Sequence, residues 1–183
     1  IITVAIDSPA AAGAGTQAKL IAKHYKLLHL DTGRLYRIIG KLKLENPKKF
    51  NYSLIRKKIK NLKMKDLQNK SLLSDKVATS ASIIAKDKKI RQLVHAFQIN
   101  CAYNPPKKYN GSCLDGRDIC SVILPKADFK FFITASVKTR AMRRFKEYNQ
   151  LNKKITLVIL NNYEHNIRNK SIFLFRSFYT PIC

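Results

Sequence analysis

The run Ile1-Ile-Thr-Val-Ala-Ile-Asp7 passes without a spacer into Ser8-Pro-Ala-Ala-Ala-Gly-Ala-Gly-Thr16, and that loop into the helical pattern Gln17 to Tyr25. The apolar, β-branched start predicts a short buried strand. Strand, small-residue loop and helix in this order leave few folds open. Backbone N–H groups and a helix N-terminus converge on an anion only where small side chains let the backbone come close, which is the requirement of a phosphate-cradling loop. The usual pattern places a first Gly for the tight turn and a Lys for the β- and γ-phosphates where this chain has Ser8 and Ala14. The residues alone therefore support two readings, a nucleotide site or a strand-to-helix turn whose Ala and Gly serve packing. The Thr16 hydroxyl is a candidate for a magnesium shell, and Lys19 or Lys23 could restore part of the lost charge.

Further along, Leu27-Leu-His-Leu-Asp31 reads as a second buried strand, and Thr32-Gly33 is expected to break it before a helix over Arg34 to Leu44. Residues 45–108 are strongly basic and helix-patterned, with Ser80 to Phe97 the clearest amphipathic helix, so this block reads as a helical insertion. Strand character returns at Ser112 to Asp115 and at Phe129 to Ala135, and Ser136 is placed to cap a helix over Val137 to Tyr148. Strands alternating with helices imply an α/β fold, a parallel sheet covered on both faces with ligand loops at the carboxyl ends of its strands. The expected division is a core of residues 1–44 and 109–183 interrupted by the insertion at 45–108.

A formal charge of +25, from 36 Lys and Arg against 11 Asp and Glu, concentrates anionic partners, nucleotides and nucleic acids alike. The lysines are scattered among Ile and Asn instead of forming one block, so compositional drift accounts for the charge at least as well as RNA binding does. Cys101, Cys113, Cys120 and Cys183 form neither a C-x-x-C pair nor a zinc framework, and reduced thiols of a cytosolic protein are expected. No apolar run approaches the roughly 18 to 20 residues of a membrane span, and no secretory pattern opens the chain. A soluble, cytoplasmic protein is the expectation, with Ile1 implying that a few residues including the initiator Met precede it. His24, His29, His95 and His165 are scattered, and nothing suggests a Ser-His-Asp or Cys-His nucleophile.

Four segments together carry a specific resemblance: Ser8 to Lys19, Leu30-Asp-Thr-Gly-Arg-Leu-Tyr-Arg37, Asp115-Gly-Arg-Asp118 and Leu124 to Ser136. In this order and spacing, over about Ile2 to Tyr148, the chain resembles bacterial cytidylate kinases. The resemblance implies a P-loop NTPase-like parallel sheet flanked by helices, with the insertion binding the acceptor nucleotide. It further implies magnesium-assisted transfer of the ATP γ-phosphoryl group to CMP or dCMP by a monomer that engages no membrane. ATP would be held by Ser8, Pro9, Ala10, Ala11, Ala12, Gly13, Ala14, Gly15 and Thr16, with Thr16 also a metal ligand and Arg140 bordering the ATP side. CMP would be held by Thr32, Arg37, Ser82, Arg91, Arg117 and Asp118, of which Ser82, Arg91 and Asp118 read the cytosine edge. Arg117, Asp115 and Arg144 make up the implied catalytic set, with Asp115 as structural support or close to magnesium.

These residue types suit the chemistry, because phosphoryl transfer is achieved mainly by cations that align donor and acceptor and spread charge. Each assignment also has a plainer reading. Arg117 and Asp118 could form a strand-end ion pair, Arg91 could be one more solvated charge beside Lys86, Lys88 and Lys89, and Thr32-Gly33 could be only a turn and cap. Arg140, Arg143 and Arg144 share one helix face that could simply be solvated.

After Tyr148 no Arg-Asp-x-x-Asp-x-x-Arg segment is found, and Arg168 and Arg176 stand in the wrong context for a role. Residues 155–183 are apolar and aromatic without helical period, which fits a final strand with an edge extension or sequence foreign to this fold, as a frameshift near Lys154 would produce. With Ala14 and without that motif, CMP phosphorylation below that of a complete enzyme is expected. The alternative from another class is a nucleotide- or RNA-binding module on a kinase-like scaffold. Among kinases, UMP, AMP and shikimate are competing acceptors, against which Asp-Gly-Arg-Asp and the long insertion argue.

Overall fold

The computed structural model describes residues 1–150. The chain forms two compact units, one of Ile1–Asp7 with Gly15–Phe131 and a second holding Ser8–Ala14 and the chain from Phe132 on. The residues expected to form a foreign or edge-strand tail, 155–183, lie outside those described, as do Arg168 and Arg176.

The first unit is built on a sheet of β1 (Ile2–Asp7), β2 (Leu27–Asp31), β3 (Gly111–Gly116) and β4 (Phe129–Phe132), in the order β2-β3-β1-β4. β1 and β2 both run parallel to β3, with Asp7 opposite Gly116 and Asp31 opposite Asp115. Val4, Ala5 and Ile6 are all buried, so both faces of β1 are covered, and this is why the strand reads as a continuous apolar run without alternation. The β4 expectation ran to Ala135, but the strand ends at Phe132 and its residues are exposed, as suits the last strand of the sheet among the described residues.

Around the sheet run α1 (Ala14–His24), α2 (Thr32–Glu45), α3 (Tyr52–Lys60), α4 (Asp75–Ile84) and α5 (Lys88–Tyr103), with 3-10 turns at Met64–Gln68 and Lys70–Leu73. A π-helical turn, Ile119–Ile123, follows β3. Leu30 and Leu114 of the sheet share one apolar cluster with Ile39, Ile55, Leu72, Val94 and Ile119, so the helices of 45–108 pack into the same core as the strands. Burying each such side chain contributes roughly 1.5–3 kcal/mol. Gly40 lets α2 and α4 touch through their backbones, since a Cβ there would stand 2.8 Å from the Ala81 nitrogen. Ser80 fastens the same contact by donating to the Gly40 carbonyl at 3.0 Å.

Three local expectations are corrected. Thr32-Gly33 does not break the chain before a helix but opens α2, because Asp31 acts as N-cap and accepts from the Arg34 N–H at 3.3 Å. The single helix expected over Ser80 to Phe97 is two, because the Asp87 carboxylate accepts from the N–H groups of Lys89 (2.8 Å) and Ile90 (3.1 Å) and starts α5 afresh. α1 begins at Ala14, three residues before Gln17, so the last small residues of the loop already belong to its first turn.

In the second unit, Ser136 stands before α6 (Val137–Gln150) as expected, accepting from the Thr139 N–H at 3.1 Å. Among the described residues no helix is long and apolar enough to cross a membrane.

Candidate active site

β1 and β3 are neighbours, yet the chain leaves β1 for a strand beyond β3 and leaves β3 for a strand beyond β1. Their carboxyl ends thus mark the topological switch point where open parallel sheets bind ligands. Asp7, at the end of β1, is buried and accepts from the N–H groups of Ile119 (2.6 Å) and Cys120 (3.1 Å). Burial raises its pKa, against the pull of those two donors.

Asp115, on the neighbouring strand end, places Oδ1 2.6 Å from His29 Nε2 and turns Oδ2 toward Gly15, where it would lie 3.5 Å from a Cβ. Burial raises its pKa too, opposed by the His29 hydrogen bond. The Thr32 hydroxyl is buried and donates to the Asp115 carbonyl at 2.9 Å, tying the start of α2 to β3. Gly116 is required beside it, because a Cβ there would collide with that hydroxyl and with Ile119.

Arg91, in the first turns of α5, donates through Nη2 to Oδ2 of Asp118, just past β3. Burial disfavours the Arg91 cation, but the Asp118 carboxylate more than compensates and its pKa is raised. A cleft of about 410 Å³ opens here, lined by Arg91, Tyr36, Gln92, His95, Val122 and Ile123. The Tyr36 phenol is half-buried, and burial raises its pKa; Arg91 works against that shift and Asp118 with it.

The remaining expected acceptor residues make these contacts. Arg37 Nη1 donates to the Leu72 carbonyl at 2.7 Å, Ser82 is exposed and donates to the Thr79 carbonyl of its own helix at 2.8 Å, and Arg117 is exposed. Thr32, Asp115, Arg91 and Asp118 are thus drawn to the strand ends together with two residues the sequence reading did not single out as ligands, Tyr36 and His29. Tyr36 adjoins Arg37 within a motif already recognised, and its aromatic type on a basic helix was the available signal.

In the second unit, Ser8–Ala14 turns back on itself with the Ala12 N–H donating to the Pro9 carbonyl at 3.3 Å. Ala11 and Gly13 adopt φ of 59° and 99°. Arg143 Nη1 donates to the carbonyls of Ala12 (2.7 Å) and Ala11 (3.4 Å). Of the two arginines expected on the ATP side, Arg140 is buried, and Arg144 Nη1 pairs with Glu147 at 2.8 Å on its own helix. Arg143 was not assigned from sequence, although it shares their helix face. Thr16 is exposed in the first turn of α1.

Among the described residues no three His, Cys, Asp or Glu side chains gather as a cage for a metal. Magnesium in phosphoryl-transfer enzymes is held by one or two protein oxygens and the substrate phosphates. The Asp115 carboxylate facing the α1 start at Gly15 fits that donor set, with the Thr16 hydroxyl beside it in sequence.

In the first unit, a parallel sheet with carboxylates at its switch point beside an arginine-lined cleft is the arrangement of an α/β enzyme that binds its ligand at the strand ends. The cytidylate kinase family model matches residues 4–171. The chain is 42% identical over 144 residues to a cytidylate kinase of Azorhizobium caulinodans, covering 79% of this chain and 68% of the relative. With a cytidylate kinase of Bartonella tribocorum it shares 42% over 149 residues, covering 79% and 66%. With that of Paramagnetospirillum magneticum it shares 40% over 148 residues, covering 80% and 70%. The chain belongs to the cytidylate kinase family and spans about two thirds of the length of these curated relatives.

Proposed function

We propose that this chain transfers the γ-phosphoryl group of ATP to CMP and dCMP, giving CDP and dCDP, as a cytoplasmic monomer. The observation that carries the reading is the Arg91–Asp118 pair, whose arginine lines the cleft. Cytosine offers acceptors at O2 and N3 and a donor at N4, so a guanidinium beside a carboxylate matches its edge. Uracil would turn its O4 acceptor toward the carboxylate and leave a charge unsatisfied. Residues 45–108 serve as the acceptor-binding segment, with Tyr36 as a further wall of the base site, Arg117 and Arg37 at the acceptor phosphate, and Thr32 holding the strand end in place. Ser8–Thr16 cradles the ATP phosphates. Thr16 and Asp115 would hold the magnesium ion that enters with ATP, and the ion neutralises charge on the migrating group.

The test is transfer of labelled γ-phosphate from ATP to CMP, dCMP, UMP and AMP, run for this chain and for Ala14→Lys. Transfer confined to the two cytidine acceptors is expected, faster in Ala14→Lys. Equal transfer to UMP or AMP would remove the base assignment. No transfer from either protein, with RNA binding that collapses as salt rises, would replace the kinase by a binding module.

A further inference from the structure

We propose that Arg143 supplies to the phosphate loop the positive charge that Ala14 cannot. The proposal rests on the reading of Ser8–Thr16 as the ATP loop and deepens it. The position after Gly13 ordinarily carries the Lys that meets the β- and γ-phosphates. Ala14 leaves that position without charge, and its methyl is buried.

The Arg143 guanidinium occupies the same stretch of loop from the side. Its Nη1 donates to Ala12 and Ala11 carbonyls, and its Nη1 and Cζ lie 3.1 and 3.7 Å from where a Cβ on Gly13 would be. Gly13 directly precedes Ala14, so the cation covers the residue next to the missing one. Two consequences follow from the chemistry of the fork. Both carbonyls, which would repel a phosphate, are masked by N–H donors. The guanidinium has five N–H groups, and Nε and Nη2 make no hydrogen bond to any described residue, which leaves them for an anion. Gly13 also keeps this approach open, since a Cβ there would stand 3.1 Å from Arg143 Nη1 and make the guanidinium give by a few tenths of an ångström.

The deciding experiment is calorimetric binding of magnesium ATP, ADP and AMP to the full chain, to Arg143→Ala, to Arg143→Gln and to Ala14→Lys/Arg143→Ala. A loop cation acts on the β- and γ-phosphates, so Arg143→Ala should weaken ATP and ADP by at least about tenfold and AMP by less than about twofold. Arg143→Gln keeps a donor for the Ala12 carbonyl but no charge; it should melt like the parent and lose ATP affinity like Arg143→Ala, which separates charge from loop scaffolding. Lys at position 14 should restore most of the affinity lost in the double variant. ATP binding by Arg143→Gln within about twofold of the parent, or a double variant as weak as Arg143→Ala, overturns the proposal. A parent chain that binds no ATP at all would bring down the kinase reading itself, and this inference with it.

Discussion

Arg91 and Asp118 lie 27 positions apart in the chain and meet in one ion pair, the guanidinium delivered by α5 and the carboxylate by the segment leaving β3. Their side chains are 42% and 26% exposed, so the pair is only partly withdrawn from water. A ligand that replaces or extends the pair must offer both an acceptor and a donor. In the proposed function that relationship selects the base, and removal of either charge is then expected to alter acceptor choice.

Asp118→Asn should lower kcat/KM for CMP by about a hundredfold while changing the KM for ATP by less than about twofold, because the substitution reverses one hydrogen-bond polarity at the base edge. The discrimination between CMP and UMP should narrow at the same time. Steady-state kinetics with both acceptors checks this, and an unchanged CMP/UMP ratio would take Asp118 out of base recognition.

Gly40→Ala should destabilise the fold by about 2 kcal/mol, since its Cβ would stand 2.8 Å from the Ala81 nitrogen and 3.1 Å from the Val77 carbonyl oxygen. The atoms met are backbone and cannot swing aside. For a chain of this size the melting temperature should drop by roughly 4–8 °C. A melt within about 1 °C of the parent would mean that α2 and α4 can separate without cost.

Ala11→Gly acts in the opposite direction. Ala11 holds φ at 59°, where an L-residue with a Cβ is strained by about 1–2 kcal/mol. Glycine relieves the strain but adds freedom to the unfolded chain worth about 0.4–1 kcal/mol, so a net gain of up to about 1.6 kcal/mol is expected. A thermal melt above that of the parent is the result to look for, and a lower one contradicts the strain.

Asp128 predicts a pH dependence. The Thr3 hydroxyl (2.7 Å) and N–H (2.8 Å) both donate to its Oδ2, and these bonds hold its pKa below the usual 3.8. A carboxylate depressed in the folded state adds stability above its unfolded pKa, and that share is lost as pH falls through the lower folded value. Asp128→Asn should therefore melt below the parent at neutral pH, with the gap closing as pH falls below 3.8. A gap that stays constant across that window would show that the charge contributes nothing.

Much of this arrangement was legible because its signals are local. The second strand was placed at Leu27 to Asp31, its observed extent, because an apolar run between breakers needs no distant partner to be recognised. The Ser136 cap followed from residue type and position alone. The break between α4 and α5 was missed because Lys86, Lys88 and Lys89 continue a plausible helical pattern, and only hydrogen-bond geometry shows that Asp87 caps a new helix. Gly40 carried no signal as a contact, since a glycine inside a helix looks like a weak point until another backbone lies against it.

By itself the sequence determined the order of strands and helices, the family, and the residue types available for phosphate and base, because these depend on short-range pattern and motif. Which acceptors the arginines meet was decided only by tertiary structure. Arg37, Arg91, Arg143 and Arg144 are chemically the same group, yet they end on the Leu72 carbonyl, the Asp118 carboxylate, the loop carbonyls of Ala11 and Ala12, and Glu147. A long flexible cation takes its role from whatever acceptor the fold brings within reach, and that acceptor is often remote in the chain.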